Sequence, residues 1–202
     1  MREQSAVRTV YVLTGRTDVV QVVDPTLLME APYWREFAKT AAIEIKLPLN
    51  YILCYLVGDN PWYAAQLRNV CCKLGKSLVI VPACENRSFE IDGAVVYRYA
   101  TAVEFVALID KADFVCTDSF HATAFSINLQ KPFVEFPLFK DDAIESQNSR
   151  IYDVLSHYGL TKRIYSTTSD DWAQPIDYIH TTELLKVDRD RSLKFLIDSI
   201  ER

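Results

Sequence analysis

Short apolar segments that alternate with helix-like segments restrict the fold of this 202-residue chain more than any other feature. Six runs are rich in β-branched and aromatic residues and show no regular alternation of polar and apolar side chains. They are 19–23, 51–57, 78–81, 94–97, 114–117 and 133–136. Strands that are apolar throughout are typical of a parallel sheet covered on both faces. The runs therefore predict buried, mostly parallel strands.

The segments between these runs have the spacing of helices. Apolar residues recur at intervals of three and four, and Gly75 and Gly159 are placed to end two of the segments. The helical segments are 34–41, 63–74, 103–110, 122–129 and 151–158. Strands that alternate with helices form βαβ units. We therefore expect an α/β protein with a three-layer α/β/α Rossmann-like domain and right-handed crossovers.

Both ends of the chain are predicted to be helical. Residues 181–202 indicate a long amphipathic C-terminal helix, capped by Thr182, with 188–191 facing solvent. Residues 3–13 favour a helix, although its β-branched residues would also suit a strand. A chain that begins in a helix, with no strand before it, looks like the end of a longer protein. We expect 1–16 to be a helix left from a missing N-terminal domain and 17–202 to be the Rossmann-like domain.

Composition excludes several classes of function. The net charge is −5 and no run of Lys and Arg exceeds two residues, which weighs against a nucleic-acid partner. No apolar run approaches the roughly 20 residues of a membrane span. Five cysteines without CxxC spacing, and histidines far from them, predict reduced thiols and no metal site. With no secretory signal visible, we expect a cytoplasmic protein, either free or associated with the inner face of the membrane.

Reactive side chains concentrate where the run 114–117 leads into the next helix. Asp118 and Ser119 form the turn and either can cap the helix, while His121 and Thr123 follow in its first turns. The carboxyl end of a parallel strand is a ligand site, and a helix N-terminus favours an anion there. We predict that His121 is catalytic and that the other three bind substrate, although a histidine in this position is often only a solvated surface group.

Two further clusters are candidates for substrate binding. Arg150 would lie at the start of the helix 151–158, where a cation is unfavourable unless an anion is shared. It would equally suit an exposed position over apolar surface. Gly58 and Asn60 follow the run 51–57, at the same edge of the sheet, and are turn residues first and ligand contacts second. No GxGxxG, GxxxxGK[ST] or GxSxG motif is present.

Two strings in combination resemble the polysaccharide pyruvyl transferase family. They are D-P-T-L-L at 24–28 and T-D-S-F-H-x-T-x-F-S-I at 117–127. Shorter matches lie at 2–3, 51–58, 131–134 and 148–151. Their order and spacing resemble the C-terminal half of the family, and the resemblance covers nearly the whole chain.

The resemblance implies one half of a two-domain transferase of the GT-B type. Characterised members transfer the pyruvyl group of phosphoenolpyruvate to a sugar as a ketal. This implies a small-molecule donor, a glycan acceptor and no further cofactor. It also implies that His121 binds or protonates the donor. Some members have an arginine two residues before this histidine, where this chain has Ser119, so Arg150 or Arg2 would have to replace it.

Two other functions stay open at this point. A nucleotide-sugar glycosyltransferase would use the same architecture and would place a diphosphate at the same edge of the sheet. A non-catalytic binding domain would instead pair with a second copy of the chain, or with the missing N-terminal domain, through an exposed apolar face.

Overall fold

The structure is a computed structural model that describes residues 4–83, 91–138 and 148–201. Its centre is a five-stranded sheet in which every neighbouring pair is parallel, in the order β3-β2-β1-β4-β5. The strands are β1 Tyr51–Tyr55, β2 Ser77–Ile80, β3 Val95–Val96, β4 Phe114–Thr117 and β5 Phe133–Glu135. Five of the six predicted strands are confirmed. The predicted strand at 19–23 is wrong, because this segment is neither strand nor helix.

Helices cover both faces of this sheet, which confirms the three-layer α/β/α prediction. They are α1 Gln4–Thr14, α2 Pro25–Leu28, α3 Ala31–Ala38, α4 Tyr63–Leu74, α5 Ala102–Lys111, α6 Phe120–Asn128, α7 Asn148–His157 and α8 Tyr178–Ile200. Two 3-10 turns, Thr161–Arg163 and Asp171–Ala173, lie between α7 and α8. Gly75 ends α4 with a φ of 62°, a left-handed conformation that glycine adopts without strain.

Alternate residues of β1, β2, β4 and β5 supply two separate cores. In β1, Leu53 packs into the layer that contains α5, α6, α7 and α8, while Ile52 and Cys54 pack into the layer that contains α4 and Trp172. All three strand residues have no exposed surface. Burial on both faces explains why the strands are apolar throughout.

The segment 19–23 runs along the helical layer and not in the sheet. The backbone N–H of Val23 donates to the Ser192 hydroxyl of α8 at 3.0 Å. Residues rich in β-branched side chains form a strand only where a neighbouring strand takes up their backbone hydrogen bonds. Here the hydrogen-bond partner of the Val23 N–H is a side chain of α8 and not a neighbouring strand.

The C-terminal helix is confirmed, but two details of its prediction are wrong. Asp177 caps α8 by accepting a hydrogen bond from the Ile179 N–H, so Thr182 is not the cap. Asp188 was expected to face solvent and is 4% exposed. It is buried because His157, Tyr158 and Arg191 all contact its carboxylate.

The helix α1 lies against the domain. The Ser5 hydroxyl donates to the Asp153 carboxylate of α7 at 2.5 Å. The assignment of 1–16 to a missing N-terminal domain stays a prediction.

The order of the strands reverses at β1, which creates the crevice where ligands bind in open α/β sheets. The connection from β1 leads to α4 on one face, and the connection from β4 leads to α6 on the other. The loops that follow β1 and β4 therefore separate at this point. They contain Gly58, Asn60, Asp118 and Ser119, all of which sequence analysis selected.

Candidate functional site

The Asp118 carboxylate joins the two loops that meet at this crevice. It is 3% exposed and accepts hydrogen bonds from the N–H groups of Val57 at 2.6 Å and Gly58 at 2.8 Å. The Tyr63 hydroxyl donates to it at 2.8 Å. Burial, together with this carboxylate, raises the pKa of Tyr63, so the phenol keeps its proton. Three donors therefore compensate a buried charge.

Gly58 and Asn60 hold the neighbouring backbone in place. A Cβ atom on Gly58 would collide with the Leu138 side chain and would lie 2.9 Å from both the Asp118 carboxylate and the Tyr63 hydroxyl. The Asn60 side-chain amide donates to the Leu138 carbonyl at 2.8 Å. These contacts give both residues a structural role, and their contact with a ligand stays a prediction.

A second carboxyl group, Glu135 at the end of β5, lies buried behind α6. The Thr123 hydroxyl donates to its Oε2 atom at 2.5 Å, and both side chains are almost fully buried. Within the described ranges its Oε1 atom has no hydrogen-bond partner. Burial raises the pKa of Glu135 well above its usual range, and the nearby Asp118 charge adds to the effect. Thr123 is fully buried and its hydroxyl bonds to Glu135, and its predicted contact with a substrate stays a prediction.

Sequence analysis did not select Glu135. The available signal is a single acidic residue inside the apolar run 133–136. Although β5 is an edge strand, its residues are all buried, because both faces of the sheet are covered at this position.

His121 lies at the start of α6 and faces solvent. Its side chain is 57% exposed, and its Nε2 atom is 3.9 Å from the buried Asp24 carboxylate. Ser119 occupies the N-cap position of this nine-residue helix, but its hydroxyl makes no capping hydrogen bond. The N–H groups of His121 and Ala122 are those that a capping side chain would take, and the Ser119 hydroxyl does not take them. An anion bound there would meet backbone donors and an imidazole together.

Asp24 is held firmly beside this histidine. Its carboxylate caps α2 through the Thr26 N–H at 3.0 Å. The Asn128 side-chain amide donates to the carbonyls of Thr26 and Met29 at either end of α2. Arg189 of α8 donates to the Leu27 carbonyl at 2.6 Å. The residues 24–28 of the D-P-T-L-L string thus form a short helix with its cap, and hydrogen bonds from α6 and α8 hold it in place. These contacts fix the position of Asp24 next to His121.

Arg150 lines a cleft of about 490 Å³ that runs between the segment 21–24, α7 and α8. Phe120 and Asp24, the neighbours of His121, line the same cleft. Arg150 is half-buried in the first turn of α7, which agrees with the predicted position but does not test contact with a substrate. Arg2, the other predicted anion partner, lies outside the described residues.

The cleft is also lined by Asp188, whose own side chain is buried and whose partners His157 and Arg191 are partly exposed. Its carboxylate is 2.6 Å from His157 Nε2 and accepts from Arg191 at 2.8 Å. The contact between His157 and Asp188 joins α7 to α8, and Arg191 places a second guanidinium in the cleft that Arg150 lines.

The cysteines lie mostly in the core. Cys54 and Cys116 are buried, and burial raises the pKa of both thiols, so they keep their protons. Cys71 is half-buried, Cys72 is exposed, and Cys84 lies outside the described residues. No three His, Cys, Asp or Glu side chains in the described ranges group closely enough to hold a metal ion. Among the same residues, no helix is long and apolar enough to cross a bilayer.

Comparison with known proteins identifies the family. The family model for polysaccharide pyruvyl transferase matches residues 1–136. The chain belongs to the polysaccharide pyruvyl transferase family. The match includes Asp24, the loop at Gly58 and the start of α6 with His121, and it ends before Arg150. No curated protein sequence matches this member of the family at a significant level.

Solved structures share the fold at low identity. The glycotransferase of kitacinnamycin superposes with a TM-score of 0.53 at 15% identity, over 81% of this chain and 46% of its own. The glycosyltransferase SnogD from Streptomyces nogalater gives 0.44 at 12%, over 94% and 57%. UDP-GlcNAc 2-epimerase from Neisseria meningitidis gives 0.42 at 13%, over 81% and 50%. This member of the family spans about half the length of these structures. The predicted fold, that of one half of a GT-B-type transferase, is confirmed.

The buried carboxyl group of Glu135 predicts an unusual dependence of stability on pH. Its pKa is raised in the folded protein, so the unfolded chain loses this proton first as pH increases. The free energy of unfolding should then fall by about 1.4 kcal/mol per pH unit from this group above pH ~4.5, until the folded-state pKa is reached. The Gln side chain in Glu135→Gln has no proton to lose. In urea denaturation, its free energy of unfolding should therefore rise relative to that of the wild type between pH 5 and pH 8.

Glu104→Gln is the matched control, since hydrogen bonds at the start of α5 lower the pKa of Glu104. Its contribution is lost as pH falls, which is the opposite direction. A difference between wild type and Glu135→Gln that is the same at both pH values would show that Glu135 is ionised in the folded protein.

Proposed function

We propose that this chain is the donor-binding half of an enzyme that transfers the pyruvyl group of phosphoenolpyruvate to a sugar of a cell-surface polysaccharide. The observation that supports this most directly is the exposed imidazole of His121 at the N-terminus of α6. The Ser119 side chain at the N-cap position makes no hydrogen bond to this helix end. This feature lies at the ligand crevice of a sheet in a member of the pyruvyl transferase family.

Phosphoenolpyruvate carries a phosphate and a carboxylate, so its site needs fixed donors. The N–H groups of His121 and Ala122 supply two, and the Ser119 hydroxyl lies beside them. Arg150 supplies a guanidinium from the cleft that Phe120 shares, and a guanidinium can bind either anionic group through two parallel hydrogen bonds.

The reaction needs a general acid at the crevice. His121 donates a proton to C3 of the enol, which leaves an oxocarbenium carbon at C2. A sugar hydroxyl forms a bond to C2 and loses its proton to the imidazole. The C2–O bond to phosphate then breaks as the imidazolium gives its proton to the departing phosphate. A second sugar hydroxyl forms a bond to C2, loses its proton to the imidazole and closes the ketal. Asp24, 3.9 Å from Nε2, keeps a negative charge beside the imidazole while it is protonated.

The other half of the enzyme would cover apolar surface that this chain exposes. The last turns of α8 present Phe195, Leu196, Ile197 and Ile200, which are 43% to 75% exposed. A companion N-terminal domain fits this surface better than solvent does, and the matched structures are about twice as long as the aligned region. We propose such a domain as the partner, and the cytoplasm, where phosphoenolpyruvate is available, as the location.

A nucleotide-sugar transferase is the second candidate, because the kitacinnamycin structure that shares the fold is a glycotransferase. A nucleotide sugar would place its diphosphate at the same end of α6. Calorimetric titration of the chain with phosphoenolpyruvate and with a UDP-sugar separates the two functions, since each predicts preference for its own donor.

Replacement of His121 tests the chemistry. In the protein that contains both halves, His121→Ala should lower the rate of phosphate release from phosphoenolpyruvate by about 10²–10⁴-fold, because the general acid is lost. His180→Ala, an exposed histidine on α8, serves as the matched control. A rate within about twofold of the wild type would rule out His121 as the acid.

Replacement of Arg150 tests donor binding separately. Arg150→Ala should weaken binding of phosphoenolpyruvate by about tenfold or more, because a charged hydrogen bond contributes roughly 1.5–3 kcal/mol. Arg150→Lys should recover only part of this, since an ammonium group cannot bind through two parallel donors. The control is Arg16→Ala, an exposed arginine paired with Asp18. Equal affinity in Arg150→Ala and Arg16→Ala would place the donor elsewhere.

A further inference from the structure

A second cavity, of about 400 Å³, opens at the same edge of the sheet and was not selected by sequence analysis. It lies beyond the ends of β1 and β2, against the segment that leads into α5. Its walls include Tyr55, Phe105, Tyr99, Arg98 and Thr101. The volume lies within the range of small-molecule sites, which is about 300–1,000 Å³.

Aromatic rings form one wall of this cavity. The rings of Tyr55 and Phe105 meet edge to face at a centroid distance of 4.7 Å, and both side chains are half-buried. Burial raises the pKa of Tyr55, so its hydroxyl stays protonated and can donate or accept a hydrogen bond. Rigid rings with a polar end suit a ligand that has both an apolar face and hydroxyl groups.

Tyr99 occupies the rim in a strained conformation. Its φ is 59°, in the left-handed region that a bulky residue rarely adopts, and its side chain is 74% exposed. Burial therefore does not explain the conformation. Strain of this kind concentrates where a side chain is held ready for a ligand.

Arg98 is the charged side chain that lines the cavity, but the adjacent start of α5 does not favour a phosphate. The start of α5 is closed by its own capping box, in which Thr101 accepts from the Glu104 N–H and Glu104 accepts from the Thr101 N–H. This end of α5 carries a carboxylate where a phosphate would have to bind. The start of α6 lacks a side-chain cap, so the two helix ends at this edge differ in the ligands they accept.

The cavity also lies next to the proposed donor site. The strand β1, which ends in Tyr55, pairs directly with β4. The Thr117 hydroxyl at the end of β4 donates to the Tyr55 carbonyl at 2.7 Å, and Ser119 and His121 follow closely along the chain. Neighbouring strands are about 4.8 Å apart, so ligands at their two ends can touch.

We propose that this cavity binds a pyranose ring of the acceptor glycan, with Tyr99 stacked on the apolar face of the sugar and Arg98 on its hydroxyl groups. This inference rests on the proposed function, because it supplies the second substrate of the same reaction. The donor's anionic groups bind at α6, and the neutral acceptor binds at the adjacent strand end.

NMR titration of the chain with methyl glucoside, methyl galactoside and methyl mannoside tests the proposal. Tyr99→Gly removes the ring and keeps the loop, since glycine favours a φ near 59°. It should weaken binding of the preferred glycoside by about fivefold or more, while Tyr99→Phe should bind like the wild type. Tyr11→Ala, which replaces another exposed tyrosine on α1, is the control and should change nothing.

Parallel titrations with phosphoenolpyruvate and uridine monophosphate distinguish the outcomes. Affinity for phosphoenolpyruvate should be the same in Tyr99→Gly and the wild type. Binding of uridine monophosphate, but of no glycoside, would overturn the acceptor proposal in favour of a nucleotide site. So would a glycoside affinity that is unchanged in Tyr99→Gly. A chain that binds glycosides but not phosphoenolpyruvate would instead contradict the proposed donor and leave the sugar cavity standing.

Discussion

The buried carboxylate of Asp118 is the interaction on which the arrangement of the crevice depends. By position it could have capped α6, as sequence analysis allowed. It turns instead toward β1 and takes the Val57 and Gly58 N–H groups and the Tyr63 hydroxyl. A buried charge that lost these donors would be strongly destabilising. These hydrogen bonds connect the loop after β4 to the loop after β1, and Asp118 does not cap the start of α6.

Two further acids support the same helix from different sides. Glu135, protonated because of its burial, bonds to Thr123 behind the first turns of α6. Asp24 faces His121 from the clamped helix α2. The three carboxyl groups therefore have different roles. Asp118 joins two loops, Glu135 bonds to α6 inside the core, and Asp24 lies beside an exposed imidazole. A rigid frame of this kind is what a precise transfer reaction requires.

Sequence patterns predicted the parts of the fold that depend on local periodicity. The uninterrupted apolar runs located β1 and β4, Gly75 marked the end of α4, and His121 was placed correctly at the start of α6. The failures came from tertiary partners that no local pattern records. Residues 19–23 have the composition of a strand, but they pack beside α8 and not beside another strand. Asp188 was predicted to be exposed because the local pattern does not record its contacts with His157 and Arg191.

We have proposed that an anionic three-carbon donor binds at the start of α6. The decisive measurement is a titration of the ¹⁵N-labelled chain with phosphoenolpyruvate, followed by backbone amide shifts. We expect saturable shifts of the His121 and Ala122 amides, with those of 98–101 at the neighbouring cavity unchanged. Shifts confined to 98–101, or the absence of saturable shifts at His121 and Ala122, would contradict it.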